Sequence, residues 1–353
     1  MPIVSSSFPK LANIAVVGAG PVGLYAAGLF KHPSYPDSEV RVFERRSKNQ
    51  LTGFGYTVHD GTLGLLGLLH PEVRALIEQR GTKPFARRTI SFRDKHSQLD
   101  ARVSQTMPLI GIEYDTLINV LQGHTARAGV EFHYESPVSD LEDLARSHDL
   151  VVVANGTNSS FLERFDPMKM ETALSYAWGK SEESSDEMDM IVDTFGHIPF
   201  IRHKYPISKS AAAVVIEVSE EHEAEVAQQI ANDSRTAQYF TEGVAFRKIP
   251  FCLCKTRVSN NIVCIGDAAF TQYFTAGAGL YFGLMQTGLL LHHLHGRSGS
   301  IEQKLRAYDS QATDLLRTQW EPSKALIAKK QRLLADYARM TDDAVLHAMV
   351  PDQ

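Results

Sequence analysis

Between an apolar run at residues 13–17 and an apolar stretch at 24–30 stands Gly18-x-Gly20-x-x-Gly23. A strand, a tight glycine turn and a buried helix in that order open a βαβ unit. Glycine tolerates the turn and lets backbone N–H groups and a helix N-terminus come close to a pyrophosphate. Residues 39–44 alternate apolar and polar side chains, as a second strand does. Glu44 closes that strand 21 residues after Gly23, the usual distance for a carboxylate that accepts both hydroxyls of a ribose. The competing reading is a chance glycine turn, which explains the glycines but not strand, helix and acid together. Residues 11–30 carry no charge and could pass for a signal peptide or a membrane span, but the clustered glycines and Pro21 would break a spanning helix.

Residues 149–154 form another apolar run, ended by Asn155-Gly156, and 261–265 a third, followed by Gly266-Asp267 and then Gly277-Ala278-Gly279. Such runs belong in a parallel sheet covered on both faces. A carboxylate at the end of the late strand can accept a ribityl hydroxyl; the plainer alternative is an Asp N-cap among glycine turns. From about residue 167 the segments 188–195, 198–205 and 211–218 alternate, which marks an antiparallel layer, with an acidic loop at 182–189. Residues 53–61 read as a glycine-rich connection into a helix around 63–78. A helix at 114–128 precedes a strand at 130–134. The expected fold is α/β, with a Rossmann-like nucleotide domain of residues 1–166 plus 251–353 and an antiparallel-sheet domain inserted at 167–250. A helical C-terminal tail over 301–349 is expected to break near Pro322.

The 353 residues are 43% hydrophobic and 22% charged, values that suit a globular protein with a sizeable core. Thirty-six Lys and Arg against 41 Asp and Glu give −5, so no basic field favours nucleic acid or an anionic membrane, and small molecules are the expected partners. Cys252, Cys254 and Cys264 are an odd number without a fourth soft ligand, which suits buried thiols in a reducing, cytoplasmic compartment. His292, His293 and His295 suit a helix C-terminus better than a metal, and no metal site is expected. Hydrolase, zinc-protease and P-loop signatures are absent.

The stretches at 16–23, 53–56, 149–158, 176–179, 200–205, 215–218 and 266–279 resemble the FAD-dependent aromatic monooxygenases of the p-hydroxybenzoate hydroxylase fold. Within that family they are most similar to the branch of the violacein-pathway indole hydroxylase and the salicylyl-CoA 5-hydroxylases. The resemblance implies an FAD-binding domain holding FAD through Gly18, Gly20, Gly23, Glu44, Asn155, Gly156, Gly266, Asp267, Gly277 and Gly279, and makes the inserted layer a substrate domain. It implies hydroxylation of an electron-rich aromatic, indole-like or CoA-bound, by O2 through a C4a-hydroperoxyflavin. NAD(P)H is the transient reductant, or a separate flavin reductase supplies electrons, since only one complete glycine motif is present. His203 is the candidate acid-base residue, a strand histidine satisfied by hydrogen bonds being the alternative, and Trp178, Arg202, Tyr205 and Tyr273 are candidate pocket residues. An epoxidase, a Baeyer–Villiger oxygenase or an oxidase keeps the flavin with different chemistry, and a non-catalytic flavin-binding protein is the alternative of another class. Three positions depart from the pattern: Asn155 replaces an aspartate, Tyr114 a helix-start arginine, and Tyr273 a histidine of the branch.

Overall fold

A computed structural model describes residues 11–31, 37–48, 50, 53–93, 98–248, 251–273, 277–296, 299–340 and 344–345. The chain opens with β1 (Asn13–Val17), α1 (Pro21–Phe30), β2 (Glu39–Phe43), β3 (Gly55–His59), α2 (Asp60–Leu69), α3 (Pro71–Arg80), β4 (Phe85–Arg93), β5 (Gln98–Glu113) and α4 (Tyr114–Arg127). It continues through β6 (Glu131–His133), α5 (Leu141–Ser147), β7 (Leu150–Val153), β8 (Pro167–Met170), β9 (Leu174–Ser181), β10 (Met188–Phe195), β11 (Ile198–Pro206) and β12 (Ala212–Ser219). The last part holds α6 (Glu223–Asn232), α7 (Ser234–Ala237), β13 (Arg247–Lys248), β14 (Phe251–Cys254), β15 (Val258–Ser259), β16 (Ile262–Cys264), α8 (Gly279–Gly296) and α9 (Ile301–Asp336).

The apolar runs β1, β7 and β16 lie together in a six-stranded sheet of order β15-β16-β7-β1-β2-β6. Val16 pairs in parallel with Val42 on one side and with Val152 on the other. Their side chains alternate between two cores. Val16 and Val152 face Ala26, Leu290 and Leu305, whereas Ala15 and Val151 face Leu141 of α5. Burial on both faces is why these strands read as unbroken apolar runs.

The second sheet has eight strands, ordered β13-β9-β12-β11-β10-β4-β5-β3. Its antiparallel centre matches the alternating segments at 188–218, but β3, β4 and β5 come from residues 55–113. The layer therefore draws on the chain well outside 167–250. Residues 55–59, read from sequence as a loop, are a strand because Tyr56-Thr57-Val58 is β-prone and pairs with β5. The helix expected at 63–78 is two helices. His70 is extended before Pro71, which disfavours helical backbone at the preceding residue and restarts the helix as its first member.

Helix α9 does not break at Pro322. The carbonyl that loses its partner belongs to Thr318, on the exposed face, where water serves it, while the buried stripe runs on through Trp320, Ser323, Leu326 and Ile327. The helix also joins the two sheets. Leu305, Tyr308 and Ala312 pack with the six-stranded sheet, and Leu316, Trp320, Leu326, Ile327 and Leu333 pack with Ile90, Met190, Val192 and Ile201 of the eight-stranded sheet. Among the described residues no helix is long and apolar enough to cross a membrane.

Arg257 fastens α9 to the end of the six-stranded sheet. It is 0% exposed and donates from Nε to Asp309 Oδ1 at 2.9 Å and from Nη1 to the Cys254 carbonyl at 2.7 Å, with Thr313 as a further acceptor. Arg257→Met leaves these acceptors facing an apolar chain. Urea denaturation is expected to show a loss of about 3 kcal/mol, and an unchanged midpoint would rule out the fastening role.

Candidate functional site

The glycine turn sits where chain order reverses, between β1 and β7, the position at which open α/β sheets bind ligands. Two of its glycines are required by packing. A Cβ on Gly18 (φ +107°) would lie 2.6 Å from the Ala154 carbonyl oxygen, and one on Gly23 would lie 2.1 Å from the Gly18 carbonyl oxygen. Gly20 differs, because a Cβ there meets nothing within 4 Å. It opens onto free space in front of α1, whose N-terminus has no side-chain cap and no acidic residue in its first turn. A helix end so arranged attracts an anion.

Glu44 stands beside this space with its carboxylate already oriented, Oε2 accepting from Ala19 N–H and Oε1 from Arg46 N–H, both at 2.9 Å. About two of its four acceptor positions stay open for hydroxyl donors. Asn155 follows β7 at the same edge, and its buried Oδ1 has no hydrogen-bond partner among the described residues. Gly156 (φ +84°) also faces open space. An orphaned acceptor and two unfilled glycine positions around an uncapped helix end fit a dinucleotide.

The late motif closes the same crevice. Gly266 (φ +64°) would place a Cβ 3.2 Å from Val22 of α1, and Gly279 would place one 3.7 Å from Asp267 Oδ1. Asp267 is reached by solvent, yet the protein mass around it pushes its carboxyl pKa up to about 6. Gly277 (φ +66°) lies near Thr57 of β3. Residues 274–276 of the same motif lie outside the described residues.

The eight-stranded sheet carries an aromatic wall. Trp178 is 39% exposed, with Phe54 edge-on at 6.2 Å and Tyr176 edge-on at 5.6 Å. Trp178 also hydrogen-bonds the Tyr205 hydroxyl, whose pKa burial raises. Burial, then Tyr114 and Asp267, keep the phenol of Tyr56 protonated. Trp178 and Tyr205 thus lie on one face of the sheet.

His203, Tyr273 and Arg202 do not join that wall as expected. Adjacent strand residues point to opposite faces, so Arg202 leaves His203 and pairs with Asp189 at 2.8 Å. His203 is 3% exposed, with Nε2 2.7 Å from Glu217 Oε1. Tyr273 donates to Glu217 Oε2 at 2.6 Å, and Lys330 Nζ lies 3.0 Å from both carboxylate oxygens. Glu217, Tyr273 and Lys330 are each 1% exposed. The strand-histidine alternative describes His203 better than an open pocket position does.

Sequence reasoning missed Glu217, Lys330 and Arg46. Glu217 is a lone charge in an apolar strand, and Lys330 falls in phase with Leu326, Ile327, Leu333 and Leu334, so both carried a readable signal. Arg46 stands close enough to Tyr114 and Glu44 to put a cation beside the glycine turn. The three cysteines are free and buried, and the described residues contain no metal-binding cluster.

Burial raises the Glu217 pKa, but Lys330, then His203 and the hydrogen bonds from His203 and Tyr273, outweigh it and bring the value to about 2 from 4.5. A carboxylate depressed on folding stabilises the protein above its unfolded pKa, and this is lost as pH falls through the folded value. On the order of 3 kcal/mol is therefore expected to vanish between about pH 4.5 and pH 2. Urea titrations at stepped pH should show this acid limb in the parent and a flatter one in Glu217→Gln/Lys330→Met. Identical limbs would contradict the assignment.

No protein-family model matches the chain. Salicyloyl-CoA 5-hydroxylase of Streptomyces sp is 26% identical over 330 residues, 84% of this chain and 61% of that protein, so the chain spans less than two thirds of this relative. Protodeoxyviolaceinate monooxygenase of Chromobacterium violaceum is 24% identical over 323 residues, covering 86% and 85% of the two chains. Among solved structures, PqsL of Pseudomonas aeruginosa, a probable FAD-dependent monooxygenase, matches with a TM-score of 0.73 over 96% of this chain and 99% of its own at 14% identity. PqsL has also been solved with 2-aminobenzoylacetate. The dinucleotide crevice, the mixed α/β fold shared with PqsL and these sequence relatives make the chain similar to FAD-dependent aromatic monooxygenases.

Proposed function

We propose that this protein hydroxylates an electron-rich aromatic small molecule with FAD as cofactor, the six-stranded sheet carrying the flavin and the eight-stranded sheet the substrate. The observation that carries the reading is the free space at Gly20 before the uncapped end of α1, flanked by the oriented Glu44. Gly18, Gly20 and Gly23 border the pyrophosphate, Glu44 takes the adenosine ribose, and Asn155 offers its unpaired oxygen beside Gly156. Asp267 takes the ribityl chain, with Gly266, Gly277 and Gly279 admitting it without side-chain obstruction. With a pKa of about 6, Asp267 is mainly ionised at pH 7 and accepts a hydroxyl proton in a charge-assisted bond. Bound and reduced by NAD(P)H or by a separate reductase, FAD supplies the activation of O2 from which one oxygen atom enters the ring.

This chain's own contribution is position and dryness. Trp178, Phe54 and Tyr205 offer a flat apolar surface on which an aromatic ring stacks. The relatives support this class of substrate, since salicyloyl-CoA and protodeoxyviolaceinate appear in their names and PqsL binds 2-aminobenzoylacetate. His203 serves as part of the wall's support, not as acceptor of the ring proton. A cytoplasmic setting accords with the three free, buried thiols.

Reconstitution with FAD followed by gel filtration tests the cofactor, and no retained flavin at micromolar protein would refute it. Gly20 has φ −71°, which any residue adopts, so Gly20→Val should keep the parent's melting temperature while losing FAD binding. Asp267→Ala should weaken FAD by about ten- to a hundredfold, the equivalent of one charge-assisted hydrogen bond. For the reaction, an aromatic panel incubated under labelled O2 should give a product one oxygen heavier. Loss of two hydrogens instead would make the protein an oxidase.

A further inference from the structure

Glu217 gathers donors from three other segments of the chain. His203 of β11 approaches Oε1 at 2.7 Å, Tyr273 gives its hydroxyl to Oε2 at 2.6 Å, and Lys330 of α9 reaches both oxygens at 3.0 Å. A carboxylate has about four acceptor positions, and these four contacts fill them. The close His203 contact needs a proton on Nε2, so Lys330 Nζ, 3.2 Å from that nitrogen, spends its hydrogens on Glu217.

Lys330 holds Tyr273 in a second way, with Nζ 5.3 Å from the ring centre, while Phe251 stacks on the ring at 5.7 Å. Tyr273 stands four positions before Gly277, which meets Thr57, and Gly279 opens α8 beside Asp267. The side chain that the cluster grips is therefore close in sequence to the glycines at the cofactor crevice.

We propose that Glu217 and Lys330 are positioning residues for the cofactor: by fixing Tyr273, two residues after Thr271, whose hydroxyl donates to the Asp267 carbonyl at 3.1 Å, they set where Asp267 stands at the crevice, and so tie α9 to the flavin site. The proposal rests on the FAD reading above. A cluster that only stabilises the fold changes the melting temperature and leaves the affinity and spectrum of the bound flavin alone. A positioning cluster also changes the affinity and the spectrum.

Two variants separate these roles. Tyr273→Phe removes one hydroxyl and keeps the ring, and Glu217→Gln/Lys330→Met removes the charges as a pair. Thermal melts, FAD titration by flavin fluorescence and the visible spectrum of bound FAD are compared with the parent. The expected result is an FAD Kd raised by about three- to tenfold in each folded variant, with a displaced flavin absorption band, measured well below each variant's own melting temperature. A folded variant with the parent's Kd and spectrum would overturn the proposal. A parent that binds no FAD overturns the functional reading and this proposal together, whereas an FAD-binding parent with indifferent variants overturns this proposal alone.

Discussion

Gly23 has no room for a β carbon, because the Gly18 carbonyl oxygen would lie 2.1 Å from it. That approach brings the start of α1 down onto the end of β1, and its consequences spread through the molecule. Gly18 then lies against Ala154 and Asn155 at the end of β7, so the turn closes only if β1 and β7 are parallel neighbours in register. Val22, one residue before Gly23, becomes the surface on which Gly266 and Gly283 rest. Early and late motifs therefore meet through a contact between small residues, and the crevice is a product of packing before any ligand enters it.

What the sequence revealed divides along physical lines. The parallel strands and the glycine turn were legible because burial on both faces and forbidden Cβ positions leave local marks, as at residues 13–23 and 150–153. The hairpin arms β4 and β5 were not, since their partners include β3 and β10 from distant parts of the chain and local pattern says nothing of that pairing. Pro322 misled because its cost depends on which face it occupies, a tertiary fact. At the site, His203 and Arg202 were grouped by adjacency in sequence, although neighbours on a strand point apart and only alternate residues share a face.

The aromatic wall and the charged cluster share one face of the eight-stranded sheet. Trp178 pairs with Val215 and Tyr176 with Glu217, so stepping two residues along β9 leads from the exposed aromatic surface to the buried carboxylate. His203 and Tyr205 make the same step on β11. An open aromatic face suits a flat, weakly polar ring, and the saturated carboxylate next to it offers no spare acceptor to an incoming group.

The cluster also supplies what the apolar contacts of α9 lack. A stripe of Leu326, Ile327, Leu333 and Leu334 decides which side of the helix meets the sheet, but it opposes sliding along the helix axis only weakly, because one apolar side chain can replace another. Lys330 cannot be replaced in that way. Moved by one turn, about 5.4 Å, its ammonium would be buried away from Glu217, leaving two uncompensated charges, a state that costs several kcal/mol. Arg257 with Asp309 imposes the same condition on the other half of the helix. Held by directional contacts along its length, α9 has one axial setting, and that setting is shared by the residues it packs against in both sheets.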